Sequence, residues 1–387
     1  MKNRLDAVVL ISPLFVLTTV IFNIVDTKFI LSRLIPVVCV YCIFLHRGSI
    51  KRNLSCYSFR VFSIFSGIVI FYFTALHLIR GDEFTLARTL IAASAYTLFV
   101  PWSKINKNLI YAVIAVGGIA AGINAFYEYY VLGIARVGIA SNPIPYALYC
   151  ASMLLFCFYI SFFKSKGAFW LAVLTSIGGI AACYALLLTN ARGVWVAIPI
   201  AVLLLIVRQL SLNIKSFLLF TIVLTSLSIV SFPLIENRWE NTILEYNQTI
   251  GGNYNTSLGV RLVLWTNGLD YIKSNPVFGV GDIVLAQKIN EIDFLWSKQF
   301  THLHNQYIDL SARSGVLGLV LLFFWLTSIF ADSREGGKGL KVKGNPFLVS
   351  LLVMFGIASF TDVPLVHAHI VYLISIFMAV SRLLEDN

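Results

Sequence analysis

Residues 301–325, "THLHNQYIDLSARSGVLGLVLLFFW", place a cluster of polar side chains directly before a long apolar run. The apolar run, which begins near Gly315, is typical of a helix that crosses a membrane core. Two histidines and an asparagine precede it, and Asp309 and Arg313 follow them inside the same segment. Ionisable groups in or beside a membrane span cost free energy, so each of them is a candidate for a function.

The composition of the whole chain is that of a polytopic membrane protein. Its 387 residues are 58% hydrophobic, its mean hydropathy is +0.84, and only 12% of its residues are charged. A soluble domain carries about 25% charged residues. No small-residue cleavage site follows the apolar run after the basic N-terminus, so we expect a retained first helix and not a signal peptide.

Apolar runs of sufficient length predict about twelve transmembrane helices in an all-α polytopic membrane fold. The predicted spans are 7–23, 29–45, 61–79, 84–101, 108–127, 143–163, 167–189, 193–207, 216–235, 306–331, 346–361 and 363–381. One large loop without a spanning run, residues 236–305, follows the ninth span. We therefore expect nine helices over 1–235, the loop with its short helices, and three helices over 306–387, folded as a single integrated domain.

The distribution of lysine and arginine predicts the side of the membrane on which the large loop lies. With a cytoplasmic N-terminus, seventeen such residues fall at the inside segments, and only Lys28, Arg80, Arg136 and Arg192 fall in the short outside loops. Positive residues accumulate on the cytoplasmic side, so the large loop should face outward, which in a bacterium is the periplasm. The net charge of +11 follows mostly from this topology, and we do not expect nucleic acid as a partner.

Within the large loop, the segment around residues 259–281 predicts a short surface helix. Its apolar residues recur at helical spacing and form one stripe: Leu262, Trp265, Leu269 and Ile272. Thr256 or Ser257 can cap its start, and Asn275-Pro276 ends it. We expect this helix to lie on the membrane surface with the stripe toward the lipid.

Ionisable residues from separate parts of the chain gather on the predicted outer side. They are Arg80, Arg136, Arg192, Arg261, His302, His304, Asp309, Arg313 and Asp362. A neutral imidazole can accept a proton, and nearby arginines disfavour its charged form. Arginine binds phosphate through two parallel hydrogen bonds. This set suits a lipid-linked pyrophosphate donor, which arrives already activated at a membrane face where ATP is absent.

The same residues also have purely structural explanations. Arg192 could extend to lipid headgroups, Arg261 could be a charge on a surface helix, and either histidine could be a hydrogen-bonding loop residue. Asp309 and Arg313 are one helical turn apart, a spacing typical of a local ion pair. Asp362 lies between two predicted spans, as a turn residue often does.

The sequence predicts neither a metal nor another cofactor. His302 and His304 have no clear third ligand near them, and no His-Glu-x-x-His occurs. Glu291-Ile-Asp293 matches the acidic pair with which nucleotide-sugar enzymes hold Mg²⁺, but it is a lone short match. A phosphate-binding Gly-rich loop and a Gly-x-Ser-x-Gly nucleophile motif are both absent from the sequence.

Two blocks of the sequence resemble the O-antigen ligase and polymerase superfamily. They are "RLVLWTNGLDYIKSNPVFGVG" at 261–281 and "HLHNQYIDLSARSGVLGL" at 302–319. The family pattern is an arginine, a tryptophan four residues on, Pro-x-x-Gly-x-Gly, His-Asn-x-Tyr-Leu and Gly-x-x-Gly. Segments 135–149 and 189–198 also resemble family segments, so the likeness covers about residues 135–325. Ile308 stands where the family usually has leucine, a conservative change.

The resemblance implies a metal-independent, GT-C-type glycosyltransferase in the bacterial inner membrane, with its active site facing the periplasm. A ligase of this kind transfers polysaccharide from undecaprenyl pyrophosphate to the lipid A–core oligosaccharide, with inversion, among membrane lipids. By the matched motifs, His304 is the catalytic base, and Arg261 and Arg192 hold the pyrophosphate. The expected substrate-binding residues are Arg136, Arg80, His302, Asn305 and Trp265.

Three other functions stay open. An O-antigen polymerase uses the same donor with a second lipid-linked glycan as acceptor. A protein O-oligosaccharyltransferase uses a serine or threonine acceptor and tends to be longer after the His-Asn motif, which only about eighty residues follow here. A flippase or transporter of lipid-linked sugars predicts polar residues down to the cytoplasmic side, whereas these gather on the outer side.

Overall fold

The described part of the chain is built of helices. The computed structural model describes residues 2–27, 29–165, 168–209, 236, 239–331 and 345–385, and these contain no strand. The helices are α1 Lys2–Thr19, α2 Ile30–Leu45, α3 Ser49–Asn53, α4 Tyr57–Arg80, α5 Thr85–Phe99, α6 Lys107–Phe126, α7 Pro143–Tyr159, α8 Phe169–Leu188, α9 Arg192–Gln209, α10 residues 239–250, α11 Ser257–Ser274, α12 Asp282–Asn290, α13 Gln306–Ser328, α14 Pro346–Ala358 and α15 Ala368–Glu385.

These helices confirm an all-α polytopic membrane protein. Five of them, α4, α6, α7, α8 and α13, are long and apolar enough to cross a membrane, with α6 and α7 extended by the π-helical turns Tyr127–Val131 and Ile160–Lys164. Eleven of the twelve predicted spans coincide with helices, and the ninth, 216–235, lies outside the described residues. The total of twelve spans and the division into three parts stay predictions.

Close packing of α6 on α8 fixes two chain segments that carry predicted site residues. Gly118 and Gly178 let the two backbones touch, because a Cβ on either would overlap the backbone of the other helix. Small residues at such crossings are typical of membrane helices. Arg136 follows α6, Arg192 follows α8, and the Asn190 side chain donates to the Ala135 carbonyl at 3.2 Å across the two segments.

A second, smaller core lies apart from the main one and forms where α11 and α12 pack on the start of α13. Its buried residues are Leu264, Leu285, Ile289, Leu303 and Ala312. The bounds of α11 confirm the predicted helix, because the Thr256 side chain accepts from the Gly259 N–H at 3.0 Å and Asn275 forms the C-cap.

The members of the predicted apolar stripe of α11 have two different surroundings. Leu262 and Leu269 are exposed, as a stripe toward the lipid requires, whereas Trp265 and Ile272 pack against the second core, in which Leu264 is fully buried. Gly268, on the same face as Leu264, leaves room for the Ile308 side chain of α13. The helix therefore turns this face to the protein, and Leu262 and Leu269 face outward.

Helix α13 is not the continuous span that the sequence predicts, because it is broken at Gly315. This residue has φ 72° and ψ 174°, a conformation that suits glycine, and a Cβ there would overlap the Val277 carbonyl. The loop after α11 takes over hydrogen bonds at the break. The Val316 N–H donates to the Pro276 carbonyl at 2.9 Å, and the Val280 N–H donates to the Ala312 carbonyl at 2.8 Å.

A buried ion-pair network holds the polar segment before α13 in place. Arg313 contacts Asp309 (Nε to Oδ2, 2.6 Å) and Asp282 (Nη1 to Oδ1, 2.9 Å), and it also donates to the Thr301 carbonyl. Asp309 is fully buried and accepts from the Leu303 N–H at 2.8 Å. The local ion pair expected from the Asp309–Arg313 spacing is therefore present, and Asp282 of the large loop joins it.

Replacing Arg313 by leucine should strongly destabilise the protein, because it leaves the buried Asp309 carboxylate without its partner. Breaking a buried pair in this way costs about 3–5 kcal/mol. Thermal unfolding of the purified protein in one detergent measures the effect. Lys273→Ala is the control, since Lys273 pairs with Asp270 at the exposed surface and should change stability little. An Arg313→Leu protein that unfolds at the wild-type temperature would contradict this role.

Candidate active site

Three arginines that are remote in sequence line one cavity of about 890 Å³, part of it open to solvent. Arg136 lies in the segment after α6, Arg192 is the first residue of α9, and Arg261 lies near the start of α11. The cavity wall also includes Glu245 of α10 and Thr361 after α14. The structure thus brings together three residues that the sequence analysis singled out.

Arg192 is held by two side chains of α10. Its Nη1 donates to the Thr242 hydroxyl at 2.8 Å, and its Nη2 donates to the Glu245 carboxylate at 3.1 Å. Because Arg192 begins α9, the positive end of that helix dipole also lies at the cavity. The part of the cavity at Arg192 can therefore hold an anion, and the Glu245 carboxylate lies there.

Of the three arginines, Arg261 has the surroundings that a bound anion would stabilise most. Its Nη1 donates to the Ser257 hydroxyl at 2.9 Å, while its Nε is buried with no hydrogen-bond partner among the described residues. Burial lowers the pKa of Arg261, the charges of Asp362 and Glu245 oppose this, and the charge of Arg192 adds to it. A bound anion would offset both the free-energy cost of burying the Arg261 charge and the repulsion between Arg261 and Arg192.

His304 has a partly buried imidazole whose pKa is lowered, in part by the charge of Arg261. Burial is the largest cause that lowers its pKa to about 3, and the charges of His302 and Arg261 add to it. The sequence analysis attributed this effect to arginines, but burial contributes more. The Nδ1 atom has no hydrogen-bond partner in the described part of the chain, and the ring stacks edge-on against His302 at 4.3 Å between centroids.

Asp362 was among the outer-side candidates in the sequence, with a turn residue as the alternative, but it was not assigned to the expected site. It lies between α14 and α15, is 4% exposed, and has Oδ1 3.9 Å from His304 Nδ1. Burial raises its pKa, while the Val363 N–H and the charges of His302, Arg261 and Arg136 lower it. An acidic residue in a short, otherwise apolar connection on the outer side was the signal that could have identified it.

His302, His304 and Asp362 could hold a metal ion, since one ligand atom from each lies within 4.8 Å of the others. The sequence-based expectation that the two histidines lack a third ligand was therefore wrong, because the ligand comes from a distant segment. The positive charges of Arg261 and Arg136 act on the same carboxylate and oppose a divalent cation there. The same three groups also form a proton acceptor with a carboxylate beside it.

Two other predicted substrate-binding residues, Asn305 and Trp265, have structural surroundings. The Asn305 side chain caps α13, accepting from the N–H groups of Tyr307 and Ile308 and donating to the Phe360 carbonyl. Trp265 packs at the edge of the second core, with its indole N–H buried and without a partner among the described residues.

Arg80, also predicted to bind substrate, does not line the arginine cavity. Its Nε contacts the Asp82 carboxylate at 2.5 Å. Its other N–H groups donate to the carbonyls of Phe278 at 2.8 Å, Gly279 at 3.1 Å and Arg313 at 2.7 Å. These contacts hold the loop after α11 against the broken helix, which is a different role from the one expected.

Comparisons with known proteins identify the proteins that this chain resembles. A family model described as O-antigen ligase matches residues 177–323, which include Arg192, Arg261 and His304. An O-antigen ligase of Escherichia coli K12 is 27% identical over 161 residues, and the exopolysaccharide production protein ExoQ of Rhizobium meliloti is 30% identical over 82 residues. These matches support the O-antigen ligase and polymerase superfamily for this chain.

The extent of each similarity differs within this superfamily. The alignment with the E. coli ligase covers 39% of this chain and 38% of that protein, and the one with ExoQ covers 19% of each. An uncharacterized protein of Haemophilus influenzae is 26% identical over 314 residues, or 73% of this chain and 75% of the relative. Arg136 and Asp362 lie outside the block matched by the O-antigen ligase model.

The His304 imidazole should stay neutral in the free protein well below the ordinary histidine pKa of about 6.5. NMR of isotope-labelled histidine in nanodiscs measures this, with the His304 signal assigned by its loss in His304→Gln. Because the pKa is lowered to about 3, the signal should remain that of the neutral ring from neutral pH to mildly acidic pH. A titration midpoint near the ordinary histidine value would contradict the burial of this side chain.

Proposed function

We propose that this protein is an O-antigen ligase. It transfers polysaccharide from undecaprenyl pyrophosphate to the lipid A–core oligosaccharide at the periplasmic face of the inner membrane. The observation that carries the proposal is the meeting of three arginines in one cavity. The His304 imidazole does not line that cavity, but it lies close enough to Arg261 for the arginine charge to lower its pKa. The superfamily supplies the reaction class, and the site supplies groups that fit it.

The arginine cavity fits the pyrophosphate of the donor. A pyrophosphate diester carries two negative charges, and guanidinium groups bind phosphate oxygens with paired hydrogen bonds. Arg192 and Arg261 bind it from two sides, and Arg136 and the N-terminus of α9 add positive charge. Because the site is partly dry, these contacts strengthen as negative charge builds up on the leaving group. This neutralisation replaces the metal ion that many glycosyltransferases need.

His304 fits the role of the base. With Nδ1 directed toward Asp362, Nε2 is left to take the proton of a core-sugar hydroxyl. The hydroxyl oxygen attacks the anomeric carbon, and the bond to the pyrophosphate oxygen breaks on the opposite side. The electron pair of that bond leaves with undecaprenyl pyrophosphate. Because attack and departure take place on opposite faces of the anomeric carbon, its configuration inverts. Asp362 then stabilises the imidazolium, as the carboxylate does in other base–carboxylate pairs.

An O-antigen polymerase is the second candidate, favoured by the similarity to the exopolysaccharide production protein. It uses the same donor cavity and base, and only the acceptor differs. Deletion in the native strain, followed by gel analysis of lipopolysaccharide, distinguishes the two. Lost ladders with accumulated long lipid-linked polymer identify a ligase, and capping by a single repeat identifies a polymerase. Unchanged ladders would overturn both.

In a purified transfer assay, Arg261→Ala should lower the rate by about 10²–10³ through lost stabilisation of the leaving group. His304→Ala should lower it by at least about 10²–10⁴, the usual contribution of a general base. Lys273→Ala, which removes an exposed charge from the same helix as Arg261, should transfer at the wild-type rate.

The assay is run with EDTA, which a metal-independent mechanism tolerates. Wild-type transfer by His304→Ala would exclude His304 as the base. Loss of wild-type transfer in EDTA, with recovery on added zinc, would assign the two histidines and Asp362 to a metal centre.

The pH dependence of transfer should differ between kcat/KM and kcat. The first reports the free enzyme and the second the donor complex. Since the free His304 pKa is lowered to about 3, kcat/KM should stay level as the pH falls through the ordinary histidine range. Bound pyrophosphate stabilises the imidazolium, so the acid limb of kcat should lie at higher pH. A fall of kcat/KM near the ordinary histidine pKa would contradict a buried base.

A further inference from the structure

Helix α10, residues 239–250, is exposed over most of its surface and turns one polar side to the protein. Part of the exposed surface is an apolar stripe, Trp239, Ile243, Tyr246 and Ile250, and the rest is Leu244 with the polar residues Glu240, Asn241, Asn247 and Gln248. The side chains turned to the protein are Thr242, Glu245 and Thr249, of which Thr249 is buried and hydrogen-bonds the Thr256 hydroxyl at 2.7 Å. Spacings of three and four residues place each set on one side of the helix.

The polar side of α10 closes one wall of the arginine cavity. Glu245 lines the cavity and accepts from Arg192 Nη2 at 3.1 Å, and Thr242 accepts from Arg192 Nη1 at 2.8 Å. The Glu245 charge also reaches Arg261, whose pKa it raises. The carboxylate therefore lies where it interacts with both arginines to which the donor pyrophosphate is assigned.

We propose that Glu245 occupies the pyrophosphate position in the donor-free protein and leaves it when the donor binds. The inference rests on the proposed function, since it assumes that this cavity receives a pyrophosphate. A carboxylate and a pyrophosphate at the same guanidinium groups repel each other, so they cannot share Arg192. The Arg192–Glu245 ion pair breaks, Arg192 pairs with a phosphate, and α10 acts as a gate of the cavity.

The outward side of α10 fits this role. In a membrane protein, an exposed apolar stripe on a short surface helix is suited to contact lipid. The helix that closes the cavity is thus also suited to face the lipid phase, from which a lipid-linked donor arrives. After transfer, Glu245 returns to Arg192 and helps to release the pyrophosphate product.

If Glu245 only positions Arg192, a neutral residue in its place should have the opposite effect on anion binding. If the ion pair only orients Arg192, neutralising Glu245 disorders the arginine and weakens anion binding. If Glu245 competes with the anion, the same change strengthens binding. The pair is partly exposed, with side chains 36% and 23% accessible, so the change should be several-fold and no more than about tenfold.

The test measures binding of inorganic pyrophosphate to the full-length protein in nanodiscs by calorimetry. Glu245→Gln should bind more tightly than wild type by several-fold, and Glu245→Asp should lie between the two. Glu240→Gln is the matched control, because Glu240 is exposed on the same helix and its loss removes the same charge. In the transfer assay, Glu245→Gln should show a lower KM for the donor and stronger inhibition by the product.

Unchanged or weaker pyrophosphate binding by Glu245→Gln would overturn the gate, as would equal tightening by Glu240→Gln. The thermal unfolding of each variant shows that it is folded, and Glu245→Asp provides a second reading if the glutamine variant is not. A wild-type protein that binds pyrophosphate but transfers nothing counts against the proposed function. Wild-type transfer without tighter binding by Glu245→Gln counts against the gate alone.

Discussion

The crowding of positive charge in one partly buried cavity is the constraint on which the rest of the site depends. Arg136, Arg192 and Arg261 line the same space, and burial lowers the pKa of Arg261. Guanidinium groups remain charged, so such a cavity is stable only when anions lie near it. Asp362 and Glu245 provide two carboxylates in the donor-free protein. Burial, together with the charges of His302 and Arg261, keeps the His304 imidazole neutral and able to accept a proton.

Contacts between helices, and between the large loop and α13, fix the chain segments around the cavity. The glycine contact between α6 and α8 sets the segments of Arg136 and Arg192, and the break at Gly315 lets the large loop hydrogen-bond into α13. Arg313 and Arg80 hold that loop through carboxylates and carbonyls. These two arginines resemble site residues in sequence, but their hydrogen bonds go to the protein itself. Some of the arginines singled out in the sequence therefore fix the loop, while others line the cavity.

The sequence could predict the part of the site that depends on local patterns, and not the part that depends on contacts between distant segments. The helices, and the expected outer placement of Arg192, Arg261 and His304, follow from apolar run lengths and the lysine and arginine distribution, because both patterns are local. Contacts between distant segments are not local. The pairing of Asp362 with His304, the contact of Glu245 with Arg192 and the use of Arg80 as a loop clamp depend on packing that periodicity does not encode. The break at Gly315 could not be predicted for the same reason. The carbonyl that accepts from the Val316 N–H at the break belongs to Pro276, about forty residues earlier in the chain.

The most direct test of the account is an electron cryo-microscopy structure of the protein in nanodiscs with a non-hydrolysable undecaprenyl pyrophosphate sugar. The account places the pyrophosphate between Arg192 and Arg261, with the sugar carbon that reacts within reach of His304. Pyrophosphate bound elsewhere, or with its sugar directed away from His304, would contradict it.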